Sequence, residues 1–309
     1  MKTVGEEKVF SNLMREIKAG KFVFTGELEP EKTTDLSEMV EATKPLKGYV
    51  VACNVTDGPR ACAYMSSLVA SYILQKETGV EMIYQLVCRD RNLIALTADL
   101  LGAGALGIRN VLALAGDHTS LGDTPGAKPV FDVDSAQLTY LIRKMVDEGV
   151  DMYGIKIHNP PKFHVGVAAN PNADPLEPEL LKVERKVAAG AEFIQTQVVF
   201  DIDLTKRFLK EIEKFNTPTL IGIFPMKNYG IAKFFDQNVP GVSVPKELLE
   251  KLKKISKIED KKVRNEKYDE ANLEFFVDFI KELKKTKAAG CHIMAVRYER
   301  LIPKLVKAV

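Results

Sequence analysis

Two acidic residues each close an apolar run and open a loop: Glu27 in FTGELEPE and Asp117 in LALAGDHTSLGD. Other polar residues hold equivalent positions. They are Asn54, Thr56 and Asp57 in ACNVTDG, Gln85 just before CRD, Asn170 and Asp174 in AANPNADP, Gln195 and Gln197 in FIQTQVVF, and Lys227, Asn228 and Tyr229 after GIFPM. Carboxylates, amides and hydroxyls with few cations suit a substrate that needs a proton donor and a stabilised developing cation, rather than a phosphate clamp. Glu27 has Phe24 and Leu28 close in sequence, an apolar frame expected to raise its pKa toward the working range of a general acid. Asp117 follows a glycine, where solvent and backbone amides are expected to keep it charged. Two acids in unlike settings can divide the roles of proton donor and charge stabiliser.

The elements that must position these groups follow from hydrophobic patterning. Strand-like runs occupy 22–28, 48–54, 81–88, 110–115, 163–169, 192–198, 219–224 and 291–296. Helical patterns fill 35–43, 61–77, 91–101, 135–148, 178–189, 204–214 and the long stretch 245–287, with a final short helix at 299–307. Nearly continuous apolar strands alternating with helices predict a parallel sheet covered on both faces. Eight such units predict a (β/α)8 barrel, one domain over residues 1–309 with extra helices between strands 7 and 8. An open doubly wound sheet would carry a glycine fingerprint after its first strand, and GELEPE has one glycine. Gly79, Gly107, Gly149 and Gly190 stand where helix C-termini turn into strands. Active sites of such barrels form at the C-terminal ends of the strands, where the acids and amides above fall.

Composition narrows the function. With 44 basic and 42 acidic residues the formal charge is +2, which argues against a nucleic-acid or membrane-surface partner. Apolar runs such as 111–115 are far too short to cross a bilayer, and MKTVGEEKVF carries charges where a secretory leader needs apolar residues. Cys53, Cys62, Cys88 and Cys291 form no CxxC pair and read as reduced thiols of a cytoplasmic protein. No histidines and carboxylates share a metal-ligand spacing, and neither GxSxG nor a P-loop occurs. The doubly charged stretch 246–270 reads as a solvated amphipathic helix pair.

In this order along the chain, the motifs resemble the methylenetetrahydrofolate reductase family of flavin-dependent barrels. FTGELEPEK resembles the family's E-x-x-P element and places Glu27 at its catalytic acid. CNVTDGPR resembles the flavin loop with Thr56 at its threonine, and LALAGD resembles the L-x-G-D element, which puts Ala115, Gly116, Asp117 and His118 beside flavin and pterin. GVAANPNADP resembles a flavin segment, with Asn170 and Asp174 where the family has tyrosine and histidine. LLKVERKVAAGAEFIQTQVVFD resembles the stretch with a flavin-binding lysine (Lys186) and a folate-binding glutamine (Gln197), and GIFPMKNY places Tyr229 at a stacking aromatic. Gln85 stands at a common flavin-side histidine; Ser135 is expected at the flavin and Arg297 at the folate tail. The loop 118–129, with Gly122 and Gly126, is expected to fold over the flavin.

The resemblance implies FAD, with FMN an option, and reduction of 5,10-methylenetetrahydrofolate to 5-methyltetrahydrofolate by hydride from flavin N5. It implies that Glu27 protonates N10 to open the ring and that Asp117 stabilises the iminium, a charge pair worth several kcal/mol at about 4 Å and an effective dielectric of about 20. Electrons would come from NAD(P)H or a redox partner protein, and the chain would act as a homo-oligomer or beside a partner subunit. A non-redox pterin-binding barrel, such as a methyltransferase component, is the alternative.

Overall fold

The computed structural model describes residues 8–239 and 241–309; the leader reading of the first seven residues lies outside them. Eight parallel strands close on themselves in chain order: β1 Val23–Leu28, β2 Ala52–Val55, β3 Met82–Val87, β4 Asn110–Leu114, β5 His164–Ala169, β6 Phe193–Val198, β7 Thr219–Ile223 and β8 Gly290–Ile293. β1 pairs with β8 through Thr25 opposite His292, which completes the barrel. Eleven helices are described: α1 Asn12–Lys18, α2 Ser37–Thr43, α3 Ser67–Thr78, α4 Leu93–Ala105, α5 Ser135–Asp147, α6 Glu177–Ala188, α7 Ile202–Ile212, α8 Tyr229–Asn238, α9 Lys246–Ile255, α10 Lys261–Leu283 and α11 Ile302–Ala308. All eight expected strands form, with ends moved by up to four residues. Gly79, Gly107, Gly149 and Gly190 all take positive φ, as strand entry from a helix requires.

The helix pair expected between strands 7 and 8 forms as α9 and α10, divided where Asp260 accepts the amides of Lys262 and Val263 and starts a new helix. Two expectations change. The region around 61 is not α-helical: a single 3-10 turn covers Pro59–Ala61, Arg60 and Ala61 both take positive φ, and α3 begins at Ser67. Tyr229, read as a loop residue, opens α8, capped by the Asn228 side chain on Ile231 N–H. α1 is a further addition, and it closes the barrel floor. Its Leu13, Met14 and Ile17 join a core of Val23, Ala52, Ile83, Leu112, Phe193 and Leu220 from inside the strands. The Phe193 ring fills the space beside Gly166, where a Cβ would come within 2.3 Å of it.

The period of two along a strand then dictates what lies above this floor. Two residues beyond the floor positions come Thr25, Asn54, Gln85, Leu114, Ala168, Gln195, Gly222 and His292, and two further come Glu27, Thr56, Asn170, Gln197 and Met294. The barrel interior thus changes from apolar to polar over about one residue pair of rise, roughly 7 Å.

Candidate active site

At the C-terminal ends of the strands the polar layers surround a cavity of about 270 Å³. Glu27 projects into it from β1 and is only partly exposed. Its Oε2 lies 3.3 Å from Gln85 Nε2, which donates to it, and 3.3 Å from His292 Nε2. His292 is buried, and its Nδ1 lies 2.9 Å from Thr25 Oγ1. The apolar frame expected for Glu27 is not there. Strand alternation turns Phe24 and Leu28 outward into the helix-facing core, while Glu27 shares the inner face with Thr25 and His292.

Below Glu27 a buried crossbar spans the barrel. Asn54 Nδ2 donates to Gln195 Oε1 at 2.7 Å, and Gln195 Nε2 donates back to Asn54 Oδ1 at 3.1 Å. Reciprocal pairing satisfies both amides without water and fixes the cavity floor.

The far wall comes from β5, β6 and α6. Lys186 reaches from α6 to donate to Ala168 C=O at 2.7 Å, and burial pushes its ammonium below the usual lysine range despite the nearby Glu179 carboxylate. Glu179 is buried and accepts Asn170 N–H at 2.9 Å. Gln197 lines the cavity and accepts Val198 N–H at 2.8 Å. Sequence reasoning missed His292 and Glu179 as site residues, while Asn54, expected at the mouth, lines the cavity. The signals were there: Glu179 and Lys186 lie seven apart on one helix face, and His292 sits on the inner period of β8.

Five expected residues therefore share the cavity: Glu27, Gln85, Asn170, Lys186 and Gln197. The others stand on the rim and outside its lining. Asp117, exposed after β4, accepts Arg60 N–H at 2.9 Å, and its carbonyl accepts Arg89 Nη1 at 3.2 Å. Ala115 C=O accepts Arg89 N–H, and Gly116 turns with φ +90. His118 caps the short turn Thr119–Leu121. Ser135 begins α5, where its carbonyl accepts the Thr139 hydroxyl. Asp174 is exposed before a cis peptide to Pro175. Tyr229 is half-buried, its N–H 3.4 Å from the Tyr268 hydroxyl. Arg297, at φ +55, pairs with Glu31 at 2.6 Å. Thr56, buried just after β2, has a hydroxyl with no hydrogen-bond partner among the described residues. Loop 118–129 is held by Asp123, which pairs with Lys32 at 2.6 Å and accepts Ala63 N–H at 3.0 Å.

Among the described residues no group of histidine, cysteine and carboxylate is placed to hold a metal ion, and no helix is long and apolar enough to cross a membrane. The family profile described as methylenetetrahydrofolate reductase matches residues 12–309, the whole barrel with its plug helix. The chain belongs to the methylenetetrahydrofolate reductase family. Relatives within the family are distant. Methylenetetrahydrofolate reductase 2 of Schizosaccharomyces pombe is 26% identical over 311 residues, covering 96% of this chain and 46% of the relative. Methylenetetrahydrofolate reductase (NADH) 1 of Arabidopsis thaliana is 27% identical over 231 residues, 72% of this chain and 38% of its own length. The 5,10-methylenetetrahydrofolate reductase of Buchnera aphidicola (subsp. Schizaphis graminum) is 27% identical over 183 residues, 57% of this chain and 55% of the relative. The chain spans about half or less of each of these relatives.

Proposed function

We propose that this barrel reduces 5,10-methylenetetrahydrofolate to 5-methyltetrahydrofolate with a bound flavin, FAD or FMN, and that Glu27 is its proton donor. The observation that carries the reading is the Thr25–His292–Glu27 chain at the cavity of a methylenetetrahydrofolate reductase-family barrel.

The donor set fits a flavin. A planar ring with carbonyl and ring-nitrogen acceptors needs amide and ammonium donors around it, and Gln85, Asn170 and Lys186 offer these within the cavity. Thr56 supports the same fit, because a buried hydroxyl without a partner is costly unless a ligand supplies one. When bound and reduced, the flavin supplies the hydride.

The chain's own residues handle the proton and the charge. A carboxylate Glu27 receives hydrogen bonds from Gln85 Nε2 and from His292 Nε2–H, while Nδ1 accepts from the Thr25 hydroxyl. With Glu27 protonated, the histidine takes the other tautomer: Nε2 accepts from the carboxyl, and Nδ1–H donates to Thr25. Both protonation states stay hydrogen-bonded, so Glu27 can give its proton to folate N10 and be recharged without leaving a buried group unpaired. Gln197 presents an amide able to donate and accept at the pterin edge, and Asp117 on the β4 rim is the carboxylate that stabilises the ring-opened cation. Tyr229 and Arg297 flank the mouth for the folate tail. Electrons reach the flavin from NAD(P)H or a redox partner protein, in the cytoplasm.

Purification tests the cofactor directly. The account expects a yellow protein that releases one flavin per chain on denaturation and bleaches anaerobically with methyltetrahydrofolate. A colourless, folded protein that takes up neither FAD nor FMN overturns it and leaves the non-redox pterin-binding barrel.

A further inference from the structure

A (β/α)8 barrel needs one helix between β7 and β8, and this chain has three. α10 covers the barrel, packing on α7 and α11, and α9 lies against α10 from outside. Between α9, α10 and the start of α7 runs a groove of about 400 Å³, which shares no residue with the mouth cavity.

α10 presents two parallel rows to this groove. Ala271, Phe275 and Phe279 recur every four residues as an apolar row, and Glu274, Asp278 and Glu282 recur beside them as an acidic row. Each row runs about 12 Å along the helix. α9 adds Leu248 to the floor and Glu247 and Lys251 to the rim. The floor is rigid, since Phe275 packs on Phe200 with centroids 6.3 Å apart and edge-on to Phe276 at 5.0 Å.

The charges choose the occupant. Four carboxylates face one ammonium along the groove. Lys251 pairs with Glu274, and Lys206 and Lys285 pair with Glu282, whereas Glu247 and Asp278 have no ion pair among the described residues. Exposed pairs of this kind are weak and exchange readily. A purely apolar occupant would leave Glu247 and Asp278 unmatched and an acidic one would be repelled. A helix with an apolar row beside a basic row matches both.

We propose that this groove docks a basic amphipathic helix of a partner protein, with its apolar side chains on Phe275 and Phe279 and its lysines or arginines against Glu247 and Asp278. The probes are two synthetic helical peptides with the same leucine pattern, one with lysine and one with glutamate on the polar face. Each is titrated against the full chain at low salt by fluorescence anisotropy. The lysine peptide should bind and the glutamate peptide should not. The double reversal Glu247→Lys/Asp278→Lys should weaken binding at least tenfold, while Glu77→Lys/Glu148→Lys, exposed elsewhere, should change it less than twofold. No binding of the lysine peptide, or equal loss from both reversals, overturns the proposal. So does a concentration-dependent dimer in sedimentation that the groove reversal dissolves, since a second copy would then own the groove.

Discussion

At the closed end of the barrel His164 meets Glu192 at 2.8 Å, and at the open end His292 meets Glu27 at 3.3 Å. The residue types are the same and the environments are not. His164 Nε2 accepts the N–H of Phe10, so its Nδ1 carries the proton and donates to Glu192. Glu192 also takes Arg143 Nη1 at 2.7 Å and Val165 N–H at 3.1 Å. Three donors fix Glu192 in holding the floor, together with Glu81, which accepts the N–H groups of Asn12 and Leu13 at the start of α1. Glu27, by contrast, has two long contacts, a tautomer-switching neighbour and a cavity in front of it. A Glu–His pair is structural when its protons are fixed by backbone donors, and chemical when they can move.

Glu27→Gln and Glu192→Gln should therefore fail in opposite ways. Glu27→Gln should lower methylenetetrahydrofolate reduction by about 10²- to 10⁴-fold while flavin content and melting temperature hold. Glu192→Gln should lower the unfolding free energy by about 2 kcal/mol, read by urea titration, because Arg143 and His164 lose a charged acceptor. Its activity per folded molecule should match the parent. His292→Gln keeps a donor toward Glu27 but cannot exchange tautomers; about a tenfold loss in rate with a changed pH–rate profile is expected. A loss with an unchanged profile would make His292 packing only.

The smallest effect concerns the crowded rim. Burial raises the pKa of Glu29, with Arg60 opposing, so the fold binds its proton more tightly than the unfolded chain does. Its ionised form then costs stability once pH exceeds the folded-state pKa, and that cost is absent well below 4.5. Glu29→Gln should raise the melting temperature slightly at pH 7 and leave it unchanged at pH 3, as thermal scans at the two values would register.

The barrel was legible because parallel strands buried on both faces leave long apolar runs, and eight of them have one common closure. Glu27, Gln85 and Gln197 were legible as polar residues at strand ends, and Lys186, on α6, through the motif resemblance. α1 was not: it spans seven residues and owes its place to Glu81 and the floor core rather than to its own pattern. The turn at Arg60 and Ala61 was hidden for a related reason, since its partner Asp117, which accepts Arg60 N–H, lies 57 residues away in sequence. The setting of Glu27 was misjudged because sequence neighbours on a strand point away from each other, and its true neighbours come from β3 and β8.

The most direct test follows a single turnover. The purified protein is reduced anaerobically and mixed with methylenetetrahydrofolate, and reoxidation of the flavin is followed by its visible absorbance. The parent should reoxidise and form methyltetrahydrofolate, while Glu27→Gln, carrying equal flavin, should stay reduced at least a hundredfold longer. Equal reoxidation by both proteins would contradict Glu27 as the proton donor.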